Sequence, residues 1–252
     1  MARLAEVVGF LDGYFRINAV RDPYLLNGLL VEGKPEVKKI LLAVDSSQET
    51  FEYAAEEKFD IVIVHHGMFS TNSEPVTGVM KNRIKILLDN GISLYGAHIP
   101  LDIHPEISNA VQFFRKMDMA IKKPFYMYGD SPLGYIGELA KEEDLNKFAD
   151  RVNKVLNAHC KVFPLGKAKV KSIAFSSGAS GHLVNEAVKS KVDVFIGGDA
   201  RLAEYLVAKE AKLNLIDAGH HATETVGISA LKEPLEKKFS LDIRFVDFPV
   251  EV

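Results

Sequence analysis

Hydrophobic positions in the first half of the chain alternate between short apolar runs and longer stretches with helical spacing. The apolar runs are 39–44, 60–64 and 92–96, and the amphipathic stretches between them are 48–58 and 79–90. Short apolar strands that alternate with amphipathic helices are typical of parallel sheets with crossover helices. The pattern therefore predicts an α/β fold.

The same rhythm returns later in the chain. The apolar runs and the helical stretches between them are 170–175, 181–190, 193–196, 201–211 and 213–216. Both series have the order strand, helix, strand, helix, strand, which amounts to a weak internal repeat. We therefore expect two lobes of similar construction.

A different composition separates the two series. Residues 125–137 are rich in Tyr, Gly and Pro, which is typical of a connection or a domain boundary, and only a short strand is predicted at 136–139. We therefore predict two similar α/β lobes with mostly parallel sheets, an N-terminal lobe at residues 1–125 and a C-terminal lobe at residues 126–252.

Composition limits the class of protein. The chain has 252 residues, 47% of them hydrophobic and 26% charged, which is ordinary for a globular protein. Its net charge of -3 lacks the basic excess that duplex-binding proteins usually carry. The single cysteine, Cys160, excludes an intrachain disulfide and a cysteine-based zinc site. With no signal-peptide core at the N-terminus and no long apolar run, we expect a cytoplasmic protein without a membrane partner.

Side chains that can bind metals follow several of the predicted strands. These are His65, His66, His98, Asp102, Asp199, His220, His221 and Glu224. In open parallel sheets, ligands bind beyond the carboxyl ends of the strands. If the two lobes face each other through these ends, the side chains converge. The sequence therefore predicts a metal site in the cleft between the lobes.

Each of these groups of residues could also have a structural role that involves no metal. The adjacent His65 and His66 could serve a turn or packing, Asp102 could cap the following helix, and His220 with Glu224 could form an exposed helix face. Taken together, three histidines and two carboxylates supply the nitrogen and oxygen donors of a dinuclear hydrolytic site. We therefore predict two divalent ions per chain (Zn, Mn or Fe) bound by these five residues.

Other common motifs are missing or weak. The run Gly197-Gly198-Asp199-Ala200 opens a predicted helix, but no GxGxxG fingerprint follows it. The sequence contains neither a Walker A motif nor a GxSxG nucleophile elbow. The run Ser176-Ser177-Gly178 fits either a plain turn or an anion cradle at a helix start.

The candidate ligands lie in ordered motifs that resemble the GTP cyclohydrolase I type 2-like family, also called NIF-three-like. The motifs are Val64-His65-His66-Gly67, Gly96-Ala97-His98 through Leu101-Asp102, Gly219-His220 through Glu224, Asn27-Gly28-Leu29 and Gly197-Gly198-Asp199. The resemblance covers essentially the whole chain. Two positions depart from it, since many members carry proline at Gly67 and tyrosine at His221.

The resemblance implies a toroidal homohexamer whose chains each fold as two α/β lobes around a dinuclear centre. It implies metal ligation by His65, His66, Asp102, His220 and Glu224, with His98 close by. The leading hypothesis is a metal-dependent hydrolase acting on a nucleotide-like small molecule, as the proposed GTP cyclohydrolase activity in the family name suggests. In this hypothesis His98 or His221 transfers protons.

Two other functions are consistent with the same residues. The first is a ring-shaped nucleic-acid-binding or transcription-related regulatory protein in which the metals are structural. It predicts a basic ring opening and binding that weakens steeply as salt rises. The second is metal storage or delivery, which predicts ions that exchange easily and no turnover.

Overall fold

The computed structural model describes residues 1–72 and 75–250. It divides into two compact units, the first formed by Met1–His104 with Ile228–Phe248 and the second by Pro105–Gly227 with Pro249 and Val250. The predicted boundary was at residue 125, whereas the observed division falls after His104 and the chain returns to the first unit at Ile228. No helix among the described residues is both long and apolar enough to cross a membrane.

Strands and helices alternate along most of the chain. The strands are β1 (Ala2–Arg3), β2 (Gly28–Val31), β3 (Glu36–Val37), β4 (Lys39–Asp45), β5 (Ile61–His66), β6 (Ser93–Gly96), β7 (Ala120–Tyr128), β8 (Ser131–Asp144), β9 (Lys161–Phe163), β10 (Lys169–Ser176), β11 (Val194–Gly197), β12 (Asn214–Asp217) and β13 (Asp242–Phe245). The helices are α1 (Leu4–Phe15), α2 (Gln48–Glu56), α3 (Gly78–Asn90), α4 (Ile99–Asp102), α5 (Asn109–Lys116), α6 (Leu145–Leu156), α7 (Val184–Lys189), α8 (Leu202–Ala211), α9 (His220–Ala230) and α10 (Lys232–Lys238).

The first unit contains a five-stranded sheet in the order β13-β4-β5-β6-β2. Its first four strands are parallel, and β2 pairs antiparallel with β6 at the edge. Strands β4 and β5 are almost continuously apolar and buried, as expected for parallel strands covered on both faces. The α/β class predicted from the alternating pattern is confirmed.

The second unit contains a six-stranded sheet in the order β7-β8-β10-β11-β12-β9. Its centre, β10-β11-β12, is parallel, and the outer strands pair antiparallel. The helix α6 covers this sheet with a fully buried face that includes Phe148 and Val152. Phe113 of α5 stacks on Phe175 of β10 with ring centroids 4.0 Å apart.

The segment predicted to be a connection is a β-hairpin. Strands β7 and β8 pair antiparallel through 120–144, with Tyr128 opposite Ser131 at the end of the ladder. The two residues between them form the turn, and Gly129 has the positive φ of +57° that glycine tolerates best. The prediction was wrong because the glycine and proline that suggested a boundary belong to this hairpin, while the tyrosines favour strands.

The predicted internal repeat is confirmed in both sheets and extends to their hydrogen bonds. Asp60 directly precedes β5, and its carboxylate accepts from two consecutive amides at the start of β4 at 2.7 and 3.0 Å. Asp193 directly precedes β11 and accepts from two consecutive amides of β10, both at 3.0 Å. The two acids therefore join the first two strands of each repeat in the same way.

The repeat also includes one antiparallel edge strand in each unit, β2 in the first and β9 in the second. The sequence patterns did not predict β9. The amide of Gly33, after β2, donates to Ser93 Oγ of β6 at 3.0 Å. The amide of Gly166, after β9, donates to Asn214 Oδ1 of β12 at 2.8 Å. Each repeat thus consists of three parallel strands with an antiparallel fourth, and the third parallel strand ends next to the candidate ligands.

Candidate metal centre

Three histidine side chains meet at the carboxyl ends of β5 and β6. His65 and His66 are the last residues of β5, and His98 follows β6. The two strands are in register, with Val64 opposite Gly96, so they end at the same edge of the sheet. One ligand nitrogen from each imidazole lies within 4.8 Å of the others, and the His65 and His98 ring centroids are 5.1 Å apart. The predicted convergence of the three histidines is observed.

Asp102 lies beside this group at the end of the short helix α4. Its Oδ2 is 3.6 Å from Nε2 of the fully buried His65. The next helix, α5, begins at Asn109 and is capped by Ser108, whose hydroxyl accepts from the amide of Val111. The interpretation of Asp102 as the cap of that helix was therefore wrong.

The second nitrogen of each imidazole faces an oxygen acceptor. His65 Nδ1 donates to the carbonyl of Ala97 at 3.1 Å, and His66 Nδ1 lies 2.7 Å from Asp45 Oδ1. A carbonyl can only accept, so Nδ1 of His65 carries the proton and the neutral ring has its lone pair on Nε2. The carboxylate of Asp45 favours the same tautomer for His66, which is the tautomer that binds a metal through Nε2.

Asp22 has the same role at His98. Its Oδ2 lies 2.8 Å from His98 Nδ1 and also accepts from the side-chain amide of Asn27 at 3.0 Å. Burial opposes ionisation, but hydrogen bonds from His98, Asn27 and the Tyr24 amide together hold the pKa of Asp22 well below its ordinary value. Asn27 Oδ1 in turn accepts from the backbone amide of His98 at 2.7 Å, which fixes the start of α4.

The second unit contributes His220 and Glu224, one turn apart on α9. His220 Nε2 lies 3.5 Å from Glu224 Oε2, and His220 Nδ1 lies 3.0 Å from Asp199 Oδ2. Glu224 is buried, with 3% of its surface exposed. The alternative of an exposed helix face was therefore wrong for Glu224. A buried carboxylate requires a compensating charge or hydrogen bond, and a cation is one such partner.

Gly178 makes room for this pair. It has a positive φ of +64°, and a Cβ there would overlap Glu224 Oε1 and lie 3.4 Å from His220 Nε2. Its amide donates to Thr223 Oγ1 at 2.9 Å, and that hydroxyl donates to the carbonyl of His220 at 2.7 Å. In the run Ser176-Ser177-Gly178, strand β10 therefore ends at Ser176, and Gly178 packs directly against the candidate ligands.

His221 is the next residue of α9 and is buried. Because successive helical residues are ~100° apart around the axis, its side chain leaves the helix in a different direction from that of His220. Its role in proton transfer, like that of His98, stays a prediction.

The sequence model for Duf34/NIF3 (NGG1p interacting factor 3) matches residues 2–250. The chain belongs to this family. A relative from Pyrococcus horikoshii called GTP cyclohydrolase 1 type 2 homolog is 40% identical over 245 residues, 97% of each chain. The solved structure of protein ybgI, described as of unknown function, is 34% identical, covers 100% of both chains and has a TM-score of 0.92. The crystal structure of TTHA1606 from Thermus thermophilus is also 34% identical, with full coverage of both chains and a TM-score of 0.89.

The residues of this Duf34/NIF3 chain that could bind metal ions are His65, His66, His98, His220 and Glu224. Asp102 lies beside them in the first unit. Imidazole nitrogens combined with carboxylate oxygens suit Zn, Mn and Fe. The donor set of this family member therefore fits a divalent transition metal.

The sequence interpretation did not link three carboxylates to the histidines that they orient. Asp45 ends β4 directly opposite His66 in the parallel register, so the shared edge of the two strands is a signal that could have identified it. Asp199 was among the polar residues after strands, but nothing linked it to His220. Asp22 lies in a loop 76 positions before His98, and no local pattern connects the two residues.

Proposed function

We propose that this protein holds two divalent metal ions and is a metal-dependent hydrolase acting on a nucleotide-like small molecule. The proposed ligands are His65, His66, Asp102, His220 and Glu224. The observation that carries the proposal is the environment of the histidines. Nδ1 of His65, His66 and His220 lies 3.1, 2.7 and 3.0 Å from an oxygen acceptor, the arrangement that orients histidine ligands in metalloproteins.

Both kinds of donor are present in each unit. The first unit offers two imidazoles and the Asp102 carboxylate, and the second offers His220 and the Glu224 carboxylate. A carboxylate has two oxygens and can bridge two ions, which a neutral imidazole cannot do. In this proposal, the ligands of both units share one dinuclear centre, as the family resemblance implies.

Bound by these ligands, two divalent ions would lower the pKa of a water molecule and would stabilise a developing oxyanion. The residues of the chain provide the binding and the orientation. Ala97, Asp45 and Asp199 hold the three ligand histidines in the Nδ1-protonated form. His98 and His221 are the proposed proton-transfer residues, because they lie next to the ligands in the chain or in space. A nucleotide-like substrate is suggested by the relatives that are called GTP cyclohydrolase 1 type 2 homologs.

The test is the metal content per chain of untagged protein, measured by plasma mass spectrometry after incubation with Zn, Mn and Fe. Wild-type protein is expected to hold about two ions, the number that a paired-metal site requires. Asp102→Ala and Glu224→Ala are expected to hold fewer. Negligible metal in the wild type would overturn the proposal, and a positive result justifies a screen of nucleotides for turnover.

The remaining family expectations belong to the same proposal. A homohexameric ring predicts a solution mass of about six chains of 27.9 kDa each, which light scattering after size exclusion measures. A cytoplasmic location is tested by fractionation of the source cells. The competing function, a nucleic-acid-binding regulator with structural metals, predicts binding to duplex DNA that falls steeply with salt and no turnover of nucleotides.

A further inference from the structure

One aromatic ring beside the candidate metal centre is exposed. Tyr24, in the loop before β2, is 63% exposed, and its ring lies 6.3 Å from that of His98 with the two ring planes at 80°. All the other tyrosines and phenylalanines of the chain are buried or half-buried. Single exposed apolar residues are common on protein surfaces, so the position of this ring and the way it is held decide what it can do.

The backbone on both sides of Tyr24 is held in place. Asp22 Oδ1 accepts from the amides of Tyr24 and Leu25 at 2.8 and 3.1 Å. The Tyr24 carbonyl accepts from the amide of Thr71 at 3.1 Å, and the Pro23 carbonyl accepts from the Thr71 hydroxyl at 3.0 Å. The exposed ring therefore stands on a fixed backbone. A ligand that stacks on a group already fixed costs the protein little conformational entropy.

The loop that contains Tyr24 is joined to the segment that follows the candidate ligands of β5. The amide of Leu26 donates to the carbonyl of Phe69 at 3.0 Å, and Phe69 comes three residues after His66. Leu26 is itself 47% exposed, so the loop presents two apolar side chains to solvent. Ligand sites are typically lined by apolar and aromatic side chains around a few polar groups. Tyr24 and Leu26 supply apolar surface of this kind in a loop that adjoins the histidines.

We propose that Tyr24 recognises the substrate, and that its ring stacks on the planar heteroaromatic base of a nucleotide-like molecule. The inference rests on the proposed function and deepens it, because it gives the base of the substrate a named contact. Stacking on an aromatic side chain is available to every base, since each base has a π-face. Tyr24 therefore selects for the presence of a base and discriminates little among bases. Specificity for one base requires hydrogen bonds from other groups.

The experiment compares two ligands that differ in the presence of the base, guanosine 5′-monophosphate and ribose 5-phosphate. Equilibrium dialysis measures the affinity of each ligand for the full-length protein loaded with Zn. Tyr24→Ala is expected to weaken binding of the nucleotide about 5- to 100-fold, the usual effect of removing one stack between a base and an aromatic side chain. Binding of the sugar phosphate is expected to stay unchanged. Tyr24→Phe keeps the π-face and is expected to retain the affinity of the wild type for the nucleotide.

Leu88→Ala is the matched control, because it removes a side chain of the same unit that is 57% exposed. Leu88 lies near the end of α3, which leads into the amino end of β6, whereas the candidate ligands lie at the carboxyl ends of the strands. This variant is expected to change neither affinity. Saturation-transfer NMR gives an independent readout. With wild-type protein the base proton of the nucleotide is expected to respond more strongly than the ribose protons, and Tyr24→Ala is expected to remove that difference.

Metal content and solution mass test the other roles that Tyr24 could have. Tyr24→Ala is expected to keep both at the wild-type values. A variant that loses metal or dissociates overturns the proposal, because the ring would then support the metal centre or contact a second copy of the chain. A metal-loaded wild type that binds the nucleotide no more tightly than the sugar phosphate, or whose nucleotide affinity survives Tyr24→Ala, refutes the role of Tyr24 alone. A wild type that binds no metal refutes the dinuclear centre itself, so the two failures are distinguishable.

Discussion

Asp45 Oδ1 lies 2.7 Å from Nδ1 of His66, across the parallel register in which these two residues end neighbouring strands. Asp45 therefore acts on a candidate metal through His66, whose ring it orients. We expect Asp45→Ala to weaken metal binding by about 10- to 100-fold, because the imidazole loses its tautomer preference and part of its basicity. Competition with a chromophoric chelator measures the change.

The control for this variant is Asp89→Ala, which removes an exposed carboxylate of α3 that pairs with Lys85. It is expected to leave metal affinity unchanged. Equal affinities of the Asp45 and Asp89 variants would show that the contact between Asp45 and His66 has no influence on metal binding.

The sequence predicted those strands correctly that are buried on both faces of a sheet. Strands β4 and β5 are apolar at nearly every position, which identifies them as buried strands, and the amphipathic helix between them indicates parallel pairing. The hairpin β7–β8 was missed because its strands contain exposed and charged residues, such as Lys122 and Lys123, that obscure the alternation. Its tertiary partner, β10, stabilises the hairpin and has no signature inside the segment.

The candidate ligands were predictable because each one lies at the end of a strand or within a few residues after it, a position defined by the local sequence. Their partners were not. Asp22 reaches His98 only through the path of a loop, and Asp199 reaches His220 across two strand ends. Such contacts depend on tertiary structure, and a single sequence does not show which distant residues come together. Asp60 and Asp193, in contrast, could be matched from the sequence, because each acid directly precedes the second strand of its repeat.

Gly178 offers a test of crowding around Glu224. Gly178→Ala is expected to destabilise the fold by about 1–2 kcal/mol through its positive φ and by a further ~1–3 kcal/mol through overlap with the carboxylate. The matched control is Gly129→Ala, at a φ of +57° in open space, which shares the strain but lacks the overlap. Urea unfolding measures both. Equal losses of stability would mean that Glu224 moves aside freely.

Asp193 gives a prediction for pH. Burial raises its pKa, but the Lys167 side chain and the amides of Ser172 and Lys171 outweigh burial and lower it below the ordinary value of 3.8. A lowered folded-state pKa stabilises the protein above that ordinary value, and this stabilisation is lost as pH falls through the folded-state pKa. We expect Asp193→Asn to cost about 1.5–3 kcal/mol at pH 7 and less at pH 3.

Lys167→Met separates the ion pair of Asp193 from its backbone contacts. Lys167 is 75% exposed, so solvent screens its charge and removing the ion pair is expected to cost much less stability than Asp193→Asn, while the hydrogen bonds to the amides remain. Denaturant unfolding of both variants at pH 7 and pH 3 measures the two contributions to stability. If Lys167→Met lowers the free energy of unfolding as much as Asp193→Asn does, the backbone contacts of Asp193 do not stabilise the fold more than its ion pair.

The thiol of Cys160 is expected to react slowly with disulfide reagents in the folded protein. Burial, reinforced by the negative charge of Asp217, raises the pKa of Cys160 to about 12. Because the thiolate is the reactive form, little of it exists at pH 8. A chromogenic disulfide reagent should therefore react at least about tenfold more slowly with native protein than with protein unfolded in urea, where the thiol returns to a pKa of ~8.5. Equal rates in the two states would show that Cys160 is neither shielded nor electrostatically suppressed.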